Sequence, residues 1–294
     1  MKYTLTLIGN SAASLTDEMA ATASGLLPNS SAPDWLREGH ACDIHFDAED
    51  AAPFAPALRA KFAAKIDMCI QPAEARRKLL LVADMDSTII QQECIDELAA
   101  ELGLKDKISD ITARAMRGEI EFEPALRERV GLLKGLPLAS LESVYRNRIT
   151  EMPGGRTLVA TMKKHGATCA LVSGGFTFFT ERVAAAVGFD INRANTLLFV
   201  DGKLSGEVGT PILGRQAKID SLVELRDKTG LPKIATLAVG DGANDLGMIE
   251  EAGLGVALHA KPVVAEAADA RIDHGDLTAL LYLQGYRFSE FVSG

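Results

Sequence analysis

The chain has 294 residues, of which 47% are hydrophobic and 24% are charged, as expected for a globular protein with one large domain or two smaller ones. The net charge is −9 and the Lys and Arg residues are scattered, which argues against a nucleic-acid-binding surface. No stretch approaches the length of a membrane-spanning helix, which argues against a membrane protein.

The four cysteines lie far apart and form no Cys-x-x-Cys pair, so the sequence predicts neither a zinc site nor a redox motif. We expect Cys42, Cys69, Cys94 and Cys169 to be small, buried and reduced, as is typical of a cytoplasmic protein. The first residues show no basic segment followed by a long apolar run, so no signal peptide is expected.

Residues 1–74 alternate between strand and helix patterns and predict a small α+β unit. The predicted strands are 3–8, 41–46 and 66–70, and the predicted helices are 15–27 and 54–62. This unit contains no catalytic constellation. His40 and His45 are isolated there, and we interpret them as ordinary surface or core residues.

After residue 75 a predicted strand at 79–83 is followed by a long helical stretch. Apolar residues then recur at the spacing of one helix face, at Ile95, Leu98, Ala99 and Leu102. The same spacing returns at 126, 130 and 133. The pattern therefore predicts a helical insertion over about 90–150.

The rest of the chain alternates between strands and helices, which predicts a mostly parallel α/β sheet with helices on both faces. The predicted strands are 168–172, 234–239 and 255–258, with a hairpin over 197–204. The predicted helices are 157–164, 215–228, 245–252, 262–268 and 277–282. Ligands of such sheets bind beyond the carboxyl ends of the strands.

Two acidic turns each follow a short apolar run: Asp-Met-Asp-Ser-Thr at 84–88 and Gly-Asp-Gly-Ala-Asn-Asp at 240–245. If their strands are neighbours, four carboxylates meet, and they cannot all stay ionised without a cation. Hard oxygen ligands favour Mg²⁺, with Asp84, Asp86 and Asp241 as the predicted ligands. Asp245 is expected behind them, fixing a neighbouring side chain, with a helix N-cap as its alternative.

An aspartate beside such a metal can attack phosphorus, so we expect Asp84 to be a nucleophile. Asp86 is placed to protonate the leaving oxygen and then to activate water. Ser173-Gly174-Gly175 follows a predicted strand and opens a predicted helix, which favours a phosphate cradle, although alone it could be an N-cap. Lys218 can neutralise the phosphoryl group, although alone it would be an ordinary surface lysine.

The order of these four motifs resembles the haloacid dehalogenase superfamily of aspartate-nucleophile phosphatases, over residues 76–294. The first motif with a helical insertion straight after it is similar to the members that act on O-phosphoserine. The resemblance implies a Rossmann-like, mostly parallel three-layer sandwich, with the insertion at about 90–150 as a cap. It also implies Mg²⁺-dependent hydrolysis of O-phospho-L-serine to serine and phosphate, the last step of serine biosynthesis, in the cytoplasm.

The same resemblance assigns substrate contacts by position. It implies that Glu93 binds the ammonium group of the substrate and that Arg129 binds its carboxylate, with Arg127 as the alternative. Phe122 matches an apolar cap contact. The phosphate contacts it implies are Ser173, Gly174 and Lys218, and Asn244 matches a contact near the metal.

Residues 1–74 resemble the small ferredoxin-like (ACT-like) domains that precede some of these enzymes. Such a unit could bind an effector amino acid, pair two subunits into a homodimer, or cover the core.

Two alternatives to the expected activity of the chain remain: the same chemistry on phosphohomoserine or phosphothreonine, or transfer of the phosphoryl group to an alcohol. A sensor with a vestigial core is a third, which the intact motifs disfavour.

Overall fold

The structure, a computed structural model, describes residues 1–10, 15–116 and 119–294. The strands are β1 (Lys2–Ile8), β2 (Asp34–Arg37), β3 (Ala41–Asp47), β4 (Asp67–Pro72), β5 (Leu80–Ala83), β6 (Thr168–Phe176), β7 (Ile191–Asn195), β8 (Leu197–Val200), β9 (Lys203–Val208), β10 (Thr236–Gly240), β11 (Leu254–Leu258) and β12 (Ala270–Ile272). The α-helices are α1 (Asp17–Gly25), α2 (Ala55–Phe62), α3 (Cys94–Glu101), α4 (Lys105–Met116), α5 (Phe122–Leu132), α6 (Leu138–Arg148), α7 (Gly155–Lys164), α8 (Thr177–Val187), α9 (Arg215–Thr229), α10 (Leu246–Glu251), α11 (Pro262–Ala267) and α12 (Ala279–Leu283). Ten strands form one sheet in the order β2-β3-β1-β4-β12-β11-β10-β5-β6-β7, and β8 pairs with β9.

The first 72 residues form a β-α-β-β-α-β unit whose antiparallel strands lie in the order β2-β3-β1-β4. This is the ferredoxin-like arrangement. The unit has an apolar cluster of its own, which includes Leu5, Ile44 and Leu58. The sequence did not predict β2, because this strand has only four residues, of which only Leu36 is buried.

The core sheet runs β12-β11-β10-β5-β6-β7, with every neighbouring pair parallel. All residues of β5 and β10 are buried, which explains their uninterrupted apolar sequences. The predicted α/β fold is thus confirmed. The sequence did not predict β7 and β12, since β7 is mostly half-buried and β12 has only three residues.

The two sheets are continuous, because β4 pairs antiparallel with β12 through Met68 and Arg271. Around this seam the Asp67 carboxylate accepts hydrogen bonds from the amides of residues 273–275, at 2.7–3.3 Å. Arg76 donates to Asp43 at 2.6 Å and to the main-chain oxygen of Leu283 at 3.2 Å. The predicted boundary at 74/75 lies between β4 and β5 and stays a prediction.

The predicted insertion between β5 and β6 consists of α3, α4, α5 and α6. Residues 117 and 118 of the predicted range lie outside the described residues. Its helices bury most of the apolar residues that the spacing indicated, including Leu98, Leu126 and Val130, but Leu102, at the end of α3, is 40% exposed. All four cysteines are free and buried, as predicted. No helix of the described residues is long and apolar enough to cross a membrane.

Candidate active site

The two acidic turns lie side by side because their strands are parallel neighbours. Ala83 of β5 pairs with Val239 of β10, and the Asp84 amide donates to the Val239 oxygen at 3.0 Å. One carboxylate oxygen from each of Asp84, Asp241 and Asp245 lies within 4.8 Å of the others. A single crevice at the carboxyl edge of the sheet therefore holds three converging carboxylates.

A buried lysine from α9 enters this group of carboxylates. The Lys218 Nζ lies 2.6 Å from Asp84 Oδ1 and 2.6 Å from Asp245 Oδ1, and Lys218 is 1% exposed. Burial alone would lower the pKa of Lys218, but the charges of Asp245 and Asp84 outweigh burial and raise it. The ammonium group therefore stays charged between the two acids.

Asp245 contacts both Lys218 and the second acidic turn. Its second oxygen accepts a hydrogen bond from the Gly242 amide at 3.1 Å, and its side chain makes no helix-capping hydrogen bond. A Cβ at Gly240 would lie 2.4 Å from Asp245 Cγ, so only glycine fits there. Asp245 thus stands at the N-cap position of α10, but its side chain contacts Lys218 and the Gly242 amide, and its supporting role stays a prediction.

One ammonium group does not balance these carboxylates. Burial, followed by the charge of Asp245, raises the pKa of Asp84 well above its ordinary value, and Lys218 only partly opposes this. The same two causes raise the pKa of Asp241 to about 6. Because the donors are hard, negatively charged oxygens in excess of the local positive charge, they fit a divalent cation such as Mg²⁺.

The Asp86 carboxylate is not one of these three close carboxylates. Its Oδ1 accepts a hydrogen bond from the Cys94 amide at 3.1 Å, and its Oδ2 lies beside Gly175, where a Cβ would be 2.9 Å away. Burial, followed by the charge of Glu93, raises the pKa of Asp86 to about 7. A carboxyl group with such a pKa can both give and accept a proton near neutral pH.

The segment 173–175 differs from its prediction, because β6 continues to Phe176 and α8 begins only at Thr177. The expectation that Ser173-Gly174-Gly175 opens the helix was wrong: Phe176 is buried and pairs with Asn195 of β7, which extends the strand. The buried Ser173 hydroxyl oxygen accepts a hydrogen bond from the Gly175 amide at 2.9 Å. A side chain at 175 would therefore displace the Asp86 carboxylate.

Sequence reasoning missed Asn195, which is 2% exposed. Its amide nitrogen donates to the main-chain oxygens of Gly174, at 2.9 Å, and Leu213, at 3.0 Å, while its oxygen accepts from the Leu213 amide at 2.7 Å. Asn195 therefore fixes the 173–175 segment against the segment that leads into α9. No motif marks this residue.

Two hydroxyl groups of the first motif also had no predicted role. The Ser87 hydroxyl donates to Glu93 Oε1 at 2.8 Å, and the Thr88 hydroxyl lies 3.4 Å from Asp241 Oδ1. The backbone of Ser87 is left-handed, with φ at 56°, which turns the chain towards the cap. Both residues belong to the Asp-Met-Asp-Ser-Thr motif at 84–88, and this motif is the sequence signal that could have pointed to their contacts.

A cavity of about 290 Å³ separates the motif loops from the cap. The motif side is lined by Asp84, Asp86, Ser173, Gly174, Gly175, Phe176, Asp241, Gly242, Ala243 and Asn244. The cap side is lined by Glu93, Ile95, Thr112, Ala115, Phe122, Leu126 and Arg129, and Lys261 also lines the cavity. Lys218 and Asp245 lie beneath its floor.

The two candidate arginines of the cap differ in position. Arg129 lines the cavity, and its guanidinium donates to the Ala125 main-chain oxygen and to Thr112 Oγ1, both at 3.2 Å. Burial lowers the pKa of Arg129 from its ordinary value, and the charges of Glu93 and Asp96 oppose this. Arg127 instead pairs with Glu123 at 2.7 Å on the exposed face of α5.

The sequence model of the haloacid dehalogenase-like hydrolase family matches residues 81–250 of this chain. This range contains both acidic turns, the cap and Lys218. The chain belongs to the haloacid dehalogenase-like hydrolase family. The family model therefore covers the carboxylate cluster and every residue that lines the cap cavity except Lys261.

Three known proteins illustrate this membership. A phosphoserine phosphatase of Streptomyces coelicolor is 43% identical over 239 residues, which cover 80% of this hydrolase and 58% of the relative, less than two thirds of its length. A family hydrolase from Salmonella enterica serovar Typhi aligns with a TM-score of 0.87 at 32% identity, over 96% of this chain and 98% of that one. A phospho-aspartyl intermediate analogue of a phosphoserine phosphatase aligns with a TM-score of 0.66 at 40% identity, over 70% and 98%.

Proposed function

We propose that this hydrolase releases L-serine and phosphate from O-phospho-L-serine. The observation that carries the proposal is one cavity with Asp84 and Ser173 on one wall and Glu93 and Arg129 on the other. A zwitterionic amino acid needs one anion and one cation, and Arg binds a carboxylate with two parallel hydrogen bonds. The names of the relatives support the same substrate.

The reaction proceeds in two steps on the residues of this chain. Asp84 attacks phosphorus, the bond to the serine oxygen breaks, and Asp86 gives that oxygen its proton. Asp86 then takes a proton from water, which attacks the aspartyl phosphate, so phosphate leaves and the Asp84 carboxylate is restored. The Ser173 hydroxyl and the amides of the 173–175 segment bind the phosphoryl oxygens. Lys218 pairs with Asp84 and compensates its negative charge.

Mg²⁺ is the proposed cofactor, with Asp84 and Asp241 as its side-chain ligands and Asp245 bracing them. When bound, it would neutralise the carboxylates and polarise the phosphoryl group. The Asp86 side chain, also predicted as a ligand, is not among the three close carboxylates, and its Oδ1 accepts a hydrogen bond from the Cys94 amide. We therefore assign Asp86 mainly to proton transfer.

Metal binding should be visible without turnover. Mg²⁺ at about 100 times its dissociation constant should raise the free energy of unfolding by about 2.7 kcal/mol. Asp241→Asn removes a ligand and should lose most of this gain, whereas Asp227→Asn, on the exposed end of α9, should keep it. Thermal melts with and without Mg²⁺ at matched ionic strength test this, and an undiminished gain in Asp241→Asn would contradict the assignment.

Head-group recognition predicts a substrate-selective loss in Arg129→Ala. Removing one partner of a buried charged contact costs about 2–4 kcal/mol, so kcat/KM on phosphoserine should fall roughly 30- to 1000-fold. An aryl phosphate has no amino-acid head, and its kcat/KM should stay within about threefold of wild type.

Arg127→Ala is the matched control, since Arg127 has the same chemistry on the exposed face of α5. It should leave both substrates unaffected. An equal fall on both substrates in Arg129→Ala would contradict the head-group role. Phosphothreonine and phosphohomoserine in the same assay test the alternative substrates, and added alcohol acceptors test phosphoryl transfer.

Two further properties complete the proposal. Four free, buried thiols support a cytoplasmic location. The strand β2 is the last strand at one end of the ten-stranded sheet, and an edge strand is a place where two subunits can pair as the expected homodimer.

A further inference from the structure

A second cavity, of about 380 Å³, lies where the N-terminal unit meets the core. We call it the junction cavity; its lining includes Gly9, Arg37, His40, His259, His274 and Asp276. The strand β1 is antiparallel to β4, and β4 is antiparallel to β12, so β1 runs in the same direction as β12 and β11. The cavity therefore lies beyond the carboxyl ends of three strands, where ligands of α/β sheets bind.

The titratable lining of the junction cavity consists of one arginine and three histidines against one aspartate. The guanidinium of Arg37 lies 4.0 Å from the centre of the Phe288 ring, and it forms no ion pair with a carboxylate of the described residues. His259 and His274 add two imidazoles; the His274 Nε2 lies 2.9 Å from the Ala63 main-chain oxygen, which leaves its Nδ1 for a ligand. The acidic member, Asp276, is engaged locally, since its Oδ1 accepts from the Thr278 amide at 2.8 Å and from the Thr278 hydroxyl at 2.5 Å.

A buried tyrosine lies beside the cavity. The Tyr282 side chain is fully buried, and its ring lies 5.5 Å from that of His40, centre to centre. Burial raises the pKa of Tyr282, and the neighbouring Arg37 guanidinium opposes this.

The backbone of His259 is also unusual for this residue. Its φ is 45°, in the left-handed region, and its amide donates to the Ile272 oxygen at 2.8 Å. Non-glycine residues held in this region cluster at binding sites. The histidines do not form a metal site, because in the described part of the chain only the carboxylates of the candidate active site come close enough to share an ion.

We propose that the junction cavity binds a small phosphate-type oxyanion through Arg37, His259 and His274. The anion is either inorganic phosphate or the phosphate group of a larger molecule. Arginine and imidazole are donors suited to its oxygens, and Arg37 can bind two of them at once. Because the lining comes from both units, a bound anion would also strengthen their docking.

Calorimetric titration of the Mg²⁺-loaded full chain with inorganic phosphate tests the proposal. Wild type should bind two phosphates, one in each cavity. Arg37→Gln and His259→Asn should each weaken phosphate binding in the junction cavity at least about tenfold and spare the active-site phosphate. Asparagine is chosen at 259 because it tolerates the left-handed backbone of this position. Arg59→Gln, an exposed change in the same unit, is the matched control and should keep both sites.

The outcomes separate this site from the active site. Ser173→Ala should weaken only the phosphate bound in the active-site cavity. If the active site binds no phosphate, the wild type has one site, and its loss in Arg37→Gln would still support the junction cavity. A single site that Arg37→Gln and His259→Asn leave unchanged would overturn the proposal. Adenosine monophosphate distinguishes the source: binding that Arg37→Gln abolishes indicates a phosphate group on a larger molecule, and its absence beside phosphate binding indicates the free anion.

Discussion

Asp84→Asn is expected to abolish phosphate release from O-phosphoserine, with kcat falling on the order of 10⁴- to 10⁶-fold, as for other nucleophile replacements. The amide cannot form the bond to phosphorus, while the remaining groups of the cavity still bind substrate. KM should therefore change much less than kcat. Phosphate release at saturating Mg²⁺ measures this.

Loss of the fold can be separated from loss of the nucleophile. The pKa of Asp84 is held well above its ordinary value, first by burial and then by Asp245, so removing its charge should not lower stability. Lys218 keeps its contact with Asp245 in this variant. A melting temperature at or above that of wild type is expected, and near-normal turnover by the folded variant would contradict the assignment of Asp84.

Lys218→Met should cause both a large loss of activity and a large loss of stability. Lys218 is the buried cation between Asp84 and Asp245, and removing one partner of a buried ion pair costs about 3–5 kcal/mol. Chemical denaturation in the presence of a chelator measures the free energy of unfolding without contribution from metal. Activity falls because the phosphoryl group and Asp84 lose their compensating charge.

The stability deficit should depend on pH in a definite direction. Asp84 already has a pKa raised by burial and Asp245, and loss of Lys218 raises it further. A carboxyl group whose pKa is higher in the folded state binds more protons there, so its contribution is present at low pH and is lost as pH rises through the folded-state pKa. The deficit should be smaller near about pH 5 than near about pH 8.

Lys228→Met is the matched control on the same helix. Lys228 pairs with Glu224 at the surface, four residues away, and exposed pairs of this kind contribute little to stability because water screens them. This variant should keep its activity and lose little stability. A similar small loss in Lys218→Met, or a deficit that grows as pH falls, would show that the buried charges are not coupled as the structure indicates.

The sequence predicted the parts of the protein where local pattern and tertiary structure agree. Strands β5 and β10 are buried on both faces, so their apolar runs were evident, and the acidic turns at their ends followed directly. The apolar spacing at 95–102 and 126–133 indicated the segments that form α3 and α5 of the cap. The α/β fold was predictable for the same reason.

The remainder depends on contacts between distant segments. Asn195 is a buried amide whose partners, Gly174 and Leu213, lie about 20 residues away on either side, so no local pattern marks it. The strand β12 has only three residues and pairs with both units. Gly174 and Gly175 suggested a helix start, but the pairing of Phe176 with β7 extended the strand past them.

The most direct test of the proposed chemistry is rapid acid quenching during turnover of O-phosphoserine that carries radioactive phosphate. Phosphoryl transfer to Asp84 predicts a protein-bound label that is stable to acid, sensitive to hydroxylamine, and located on the peptide that contains Asp84. The label should be absent from Asp84→Asn. Turnover with no protein-bound label at any quench time, or a label on a peptide without Asp84, would contradict nucleophilic attack by this residue.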